Sequence, residues 1–334
     1  MFDMIINRLW LRGIYFFLAG ASVSEALSLC SSGSEKSFST VDVFAKANYW
    51  YTSESIDWAY TSEGNSNDWT SSYQMFVFDW APGFTVGLGC AMEHDRWDSN
   101  ISYTWFQSKA LAHAGGGDVS ITPGFLAHRL APYLPFIGPF STGKASIDIH
   151  YNMFDWDLGR PFFIDKNFLI RPAIGLKGGW INQWIRSSWT LPALTDFLAN
   201  ENLTQKFQAG GAKAGVTGKW CLSTRLKQTF SLVGMFDLAY LWGHWSIRNQ
   251  FLDTFAITIN LETTDRNFGV LVFHSFLGFE WEFLLRQNRN HVAFKLGYEI
   301  EDWLDQCQFF TNISGSQSND LILQGLSGSF CIAF

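Results

Sequence analysis

Past residue 30 the chain lacks any run of some 18 apolar residues, which excludes helical membrane spans. It lacks a basic excess as well: the net charge is −7 over 334 residues, and no basic stripe occurs, which argues against nucleic-acid binding. Its five cysteines, Cys30, Cys90, Cys221, Cys307 and Cys331, form no CxxC pair and no metal spacing. An odd number in an exported chain leaves at least one free thiol or one bond to another chain. Seven histidines show no HExxH or other ligand spacing, and no GxSxG elbow, P-loop or dinucleotide fingerprint is present. These absences leave no cofactor, no metal and no enzymatic assignment.

What is present is aromatic. Phe, Trp and Tyr make up 17% of residues, with 16 Trp and 32 Phe. Hydrophobic residues reach 47%, yet mean hydropathy is close to zero, so apolar and polar residues are interleaved. Two interfacial girdles of a membrane barrel would accommodate such a load.

The amino terminus reads as an export signal. Arg8 and Arg12 precede an apolar stretch, Gly13–Ala21, and small residues allow cleavage after Ala26 or Ser28. Removing residues 1–26 takes away two cations (Arg8, Arg12) and two anions (Asp3, Glu25), so the charge is unchanged. The expected organisation is a signal peptide over 1–26, a periplasmic segment over 27–41 and a barrel over 42–334.

Period-two alternation recurs along that barrel. Phe168, Ile170, Ile174, Leu176, Trp180 and Trp184 share one face; Arg171, Ala173, Gly175, Lys177, Gly179 and Gln183 share the other. Phe230, Leu232, Phe236, Leu238, Tyr240 and Trp242 alternate with Thr229, Ser231, Asp237 and Ala239. Val292, Phe294, Leu296, Tyr298 and Ile300 alternate with Ala293, Lys295, Gly297, Glu299 and Glu301. In Ala145–Met153 the odd positions are apolar, which assigns Ser146, Asp148, His150 and Asn152 to the inner face. The final strand carries Ile322, Leu326, Phe330, Ile332 and Phe334 on one side and ends on an aromatic residue. Phe330, Ile332 and Phe334 are the candidate insertion signal for the barrel-assembly machinery. Such segments exceed the five or six residues usual in soluble sheets, and their polar faces mix small residues with full charges, as a wet lumen would.

Short connections at 93–96, 159–166, 223–226 and 286–290 alternate with long ones at about 62–82, 109–144, 185–205, 246–265 and 306–319. This predicts an all-β, antiparallel up-and-down transmembrane barrel with short periplasmic turns and long outer loops. Ten strands are expected, with twelve to sixteen open because Tyr73–Trp80 and Phe255–Leu261 also look strand-like. The proline-punctuated loop 109–144 folds into the lumen, caps the mouth or lies on the surface. Candidate pore-lining residues are Lys46, Asp98, Asp148, His150, Arg171, Lys177, Lys213, Asp237, Glu280, Lys295, Glu299 and Glu301, with Lys219 and Glu282 on the same face. Balanced charge gives no strong ion preference. Asp148 and His150, two apart, could form a catalytic pair in a barrel hydrolase; a solvated lumen pair is the simpler reading.

Gly83–Gly89, Asp95–Asp98 and Ser102–Phe106 resemble a segment of the Legionella-type major outer membrane proteins and their relatives in chlamydia-like bacteria. Asp157–Arg160, Leu169–Pro172 and Ile174–Ile181 are similar to that family's central strands, and Gly297–Glu301, Gln308–Phe310 and Leu323–Leu326 to its end. The similarity covers about 42–334. It implies an abundant, pore-forming outer-membrane barrel, in some members disulfide-linked, and supplies no catalytic residues. The expectation is therefore a porin passing small hydrophilic solutes, embedded in outer-membrane lipid, with homo-oligomers or inter-chain disulfides open. The alternative is a structural or adhesive barrel with a largely plugged lumen; a soluble sandwich is a further rival.

Overall fold

A computed structural model describes residues 40–65, 68–92, 96–115, 119–125, 140–191, 198–225, 228–254, 258–284, 291–311 and 315–334. The expected signal peptide, Cys30 and most of the periplasmic segment lie outside them. So do the Gly116–Gly117 tip and the proline-rich stretch 126–139.

The strands are β1 (Thr40–Glu54), β2 (Asp57–Asn65), β3 (Asp68–Met75), β4 (Ala81–Ala91), β5 (Asp98–Gly115), β6 (Ser120–Pro123) and β7 (Thr142–Gly159). They continue with β8 (Phe162–Asp165), β9 (Phe168–Thr190), β10 (Leu198–Arg225), β11 (Gln228–Asp253), β12 (Thr258–Leu284), β13 (His291–Thr311) and β14 (Gly315–Ala333). Ten of them close one antiparallel ring, in the order β10-β11-β12-β13-β14-β1-β4-β5-β7-β9, with β9 returning to β10. The seam between chain ends is continuous: Asp42 pairs with Ala333 and Glu54 with Leu321. Through the apolar belt each wall strand is paired on both sides, the condition for a sheet in hydrocarbon.

The outward face is apolar. Ile174, Leu176, Phe236, Leu238, Leu277, Phe279, Phe294, Leu296 and Leu326 are all exposed. Aromatics sit at both levels of this band: Phe168, Trp220, Phe230 and Trp281 near the periplasmic turns, and Trp105, Trp180, Tyr240 and Trp242 twelve or so residues higher. That spacing matches an apolar band about 25 Å tall between aromatic girdles.

Ten wall strands agree with the base expectation, and the described parts of the two ambiguous segments, 73–80 and 258–261, add no further wall strand; residues 255–257 lie outside the described residues. Residues 73–75 belong to β3, which pairs with β2 and β6 in a separate three-stranded sheet. Residues 258–261 begin β12. The long loops, by contrast, were expected where the wall continues. β10, β11 and β12 run 28, 26 and 27 residues, against the roughly 9–11 needed to cross a bilayer. The barrel therefore rises well above the lipid. There water replaces hydrocarbon outside, the exterior positions become polar, and a strand no longer shows its greasy outer stripe.

Candidate functional site

The lumen has two halves. In the periplasmic half, every wall strand from β9 to β13 sends charge inward. Arg171 donates to Asp98 and, at 2.7 Å, to Asp157. Lys177 lies 2.7 Å from Glu301 and 3.3 Å from Asp155, whose other oxygen takes Lys213 at 3.0 Å. Lys219 bridges Glu280 and Glu282, and Lys295 reaches Glu280 at 3.7 Å. Lys46 of β1 and His274 of β12 meet on Glu299, each at 2.7 Å, and Ser327 donates to the same carboxylate. Each cation thus faces at least one carboxylate, so the network neutralises itself. Unpaired, such buried charges would cost several kcal/mol each. Small residues make room for it: a Cβ at Gly215 would collide with an Asp237 carboxylate oxygen. Around the network is a cavity of about 170 Å³, bordered by Lys46, Asp155, Lys213, Asp237, Glu280 and Glu299.

The outer half is filled differently. Phe106, Ile147, Ile149, Tyr151, Ile181, Ile185, Phe207, Leu241, Trp245, Trp303, Leu321 and Leu323 are buried together inside the ring. At their centre β13 breaks register against β14 between Trp303 and Cys307, with Asp305 at φ 55°. This bulge turns Gln306 inward, completely buried. The Gln306 carbonyl accepts from Trp245 Nε1 at 2.9 Å and from Gln205 at 3.3 Å; its side chain meets Gln183, which also donates to Glu54 at 2.8 Å. Trp303 packs edge-on against both Tyr151 and Phe207. Residues of β1, β7, β9, β10, β11 and β13 therefore meet across the lumen.

Above this plug lies the small sheet. Trp58 of β2 stacks on Trp189 of β9 at 5.4 Å, and Phe125, just after β6, packs on Phe309 at 6.0 Å. Of the stretch 109–144, residues 109–115 and 142–144 continue wall strands β5 and β7, and residues 119–125 lie over the outer mouth, with Ile121 and Phe125 buried.

Ten of the twelve candidate pore-lining residues point into the periplasmic half: Lys46, Asp98, Arg171, Lys177, Lys213, Asp237, Glu280, Lys295, Glu299 and Glu301. Asp148 and His150 do not. Their side chains are 30% and 37% exposed on the outer wall, 3.1 Å apart, with Lys109 on the second Asp148 oxygen. Ile147, Ile149 and Tyr151 take the inner face instead. Sequence reasoning missed Asp155, Asp157 and His274. The signal for the first two was present: Phe154, Trp156 and Leu158 alternate with them, and lipid-facing parity carried upward sends Asp148 and His150 outside. Of the insertion-signal residues, Phe334 is exposed at the end of β14, and Phe330 packs on Phe294 at 4.5 Å. Cys90 is an exposed free thiol, while Cys221 and Cys307 are free and buried.

A closed, lipid-belted antiparallel ring with a charged interior defines an outer-membrane β-barrel protein. Residues 36–331 match the family of the Legionella pneumophila major outer membrane protein precursor, and the chain belongs to that family. It is accordingly a protein of the bacterial outer membrane. No curated protein sequence matches it. Among solved structures, the chain is similar to a major outer membrane protein from Thermus thermophilus, at 9% identity and a TM-score of 0.35, covering 89% of this chain and all of that one. It is also similar to the outer membrane protease OmpT from Escherichia coli, at 11% identity and a TM-score of 0.37, covering 91% and 99%. A Pseudomonas aeruginosa FadL homologue matches at 8% identity and a TM-score of 0.25, over 89% and 90%.

Proposed function

We propose that this protein is a structural, surface-displaying barrel whose lumen does not conduct solutes in the conformation described. The observation that carries this reading is the β13 bulge: Gln306 and Trp303, both fully buried, sit among side chains from across the ring. A water-filled path would leave those groups wet. The self-neutralised network below them points the same way, since a permeating ion would have to compete with pairs at 2.7–3.0 Å.

The second reading is a porin for small hydrophilic solutes, favoured by the charged cavity of the periplasmic half. There, passage requires the bulge to withdraw. Reconstitution in planar bilayers separates the two. The plugged barrel gives no unitary steps, and steps open in a Trp303→Ala, Phe207→Ala variant; a porin conducts without either change.

The protein is read as non-enzymatic: the Asp148–His150 pair that a barrel hydrolase would use lies on the outer wall, with Lys109 on its second carboxylate oxygen. Residues 1–26 are read as a cleaved signal peptide, checked by sequencing the amino terminus of the membrane-inserted protein. Phe330, Ile332 and Phe334 are read as the mark for the assembly machinery, and Phe334→Ser should slow insertion. Homo-oligomers and inter-chain disulfides through Cys90 are checked by cross-linking and non-reducing gels.

A further inference from the structure

The outer wall above the lipid belt carries a feature that neither a pore nor a plug uses. Across β5, β7, β9, β10 and β11 the ladder aligns outward residues in rows. Lys109 faces Asp148, which faces Trp184, then Thr204, then Arg248. One row nearer the membrane stand Gln107, His150, Asn182, Lys206 and Ser246; one row farther out stand Leu111, Ser146, Arg186, Asn202 and Gln250. Immediately below come Trp105, Trp180 and His244, the upper girdle. Lys109 and Arg248 are matched by Asp148 and Glu262 at 3.0 and 2.9 Å. Arg186 and Lys206 are exposed and have no partner among the described residues. Arg186 borders an open depression of about 660 Å³, lined also by Lys144, Ser146, Asn200, Asn202 and Gln250, and Lys206 stands two rows nearer the membrane on the neighbouring strand. On the opposite wall, at the corresponding ends of β13 and β14, the charged residues at the surface among the described residues are Asp302, Asp305 and Asp320. The barrel is thus polarised: one flank carries unspent cations beside amides and hydroxyls, the other carboxylates.

We propose that this depression binds the phosphorylated sugar headgroup of an anionic glycolipid of the outer leaflet. Guanidinium and ammonium groups suit phosphate, the guanidinium bidentately. Asn, Gln and Ser groups supply donors and acceptors for sugar hydroxyls. Trp184, in the row between Arg186 and Lys206, and Trp180, one row below Lys206, place the site at headgroup height, where acyl chains can lie along the apolar belt. Each cation near an anionic lipid surface strengthens attachment severalfold. The lipid would thereby anchor one flank and orient the barrel among its neighbours.

The test uses the full membrane-inserted chain, purified in mild detergent and titrated with a bisphosphorylated lipid A-type glycolipid, with bound lipid counted by native mass spectrometry. Neutralising the pair (R186Q with K206Q) should weaken binding about thirtyfold, while R186K with K206R should retain most of it. The dephosphorylated glycolipid should bind as weakly as the neutralised variant, and inorganic phosphate should compete only at far higher concentration. Unaltered migration of the unboiled variant on gels shows that its barrel is intact. Equal binding by wild type and R186Q/K206Q, equal binding of the dephosphorylated lipid, or effective competition by free phosphate would each overturn the proposal.

Discussion

The two halves of this lumen solve the problem of filling a ten-stranded ring by opposite chemistry. The periplasmic half holds Arg171, Lys177, Lys213 and Lys219 against Asp98, Asp155, Asp157, Glu280, Glu282 and Glu301. The outer half holds Ile, Leu, Phe and Trp as a soluble core would. The exterior changes in the reverse sense, from Phe236 and Leu238 in lipid to Arg186 and Lys206 in water. Within hydrocarbon the outside must be apolar, and the inside is free to be polar. Above it the outside must be polar, and burial requires the inside to be apolar. The strands are continuous through this change; only the surroundings switch.

The largest effect is expected where a charge is stranded. Lys219→Met leaves Glu280 and Glu282 facing each other, and should cost about 3–5 kcal/mol in urea unfolding followed by tryptophan fluorescence. A loss below about 1 kcal/mol would mean that water already solvates that half. Trp245→Ala empties the outer core and removes the donor to the Gln306 carbonyl, so a comparable loss of about 3–5 kcal/mol is expected. Unlike the lysine change, it should be insensitive to salt; a strong salt dependence would erase the distinction between the halves. Phe236→Arg puts a charge on the lipid face midway between Phe230 and Trp242. It should cost about 2–4 kcal/mol, and a neutral result would move the membrane boundary. The smallest change is Asp148→Asn on the outer wall, expected within about 0.5 kcal/mol. Had that carboxylate been part of the lumen network, the loss would be several times larger.

Much of the wall was legible from alternation. Where lipid lies outside, as at Phe168–Trp180 or Val292–Ile300, the apolar stripe marks the outward face, and the inner charges follow by parity. The same rule misleads at Ala145–Met153, where an apolar stripe marks the inner face. Hydrophobicity says which face is dry, and above the membrane the dry face is inside. Parity carried through from Phe154, Trp156 and Leu158 would have placed Asp148 and His150 correctly. The wall heights were missed for the same reason: polar stretches such as 246–253 read as loops when they are ladder in water.

The all-β barrel class and the lipid-facing stripe were determined by the sequence alone, because alternation is a local, period-two property of residues meeting hydrocarbon; the strand number stood open between ten and sixteen until the ring closed at ten. The plug was decided only in three dimensions. Trp303, Gln306, Gln183, Gln205 and Tyr151 are separated by up to about 155 positions and become neighbours only when the ring closes. Whether inward polar groups hold water or each other depends on how far those facing walls stand apart, and no local pattern encodes that distance.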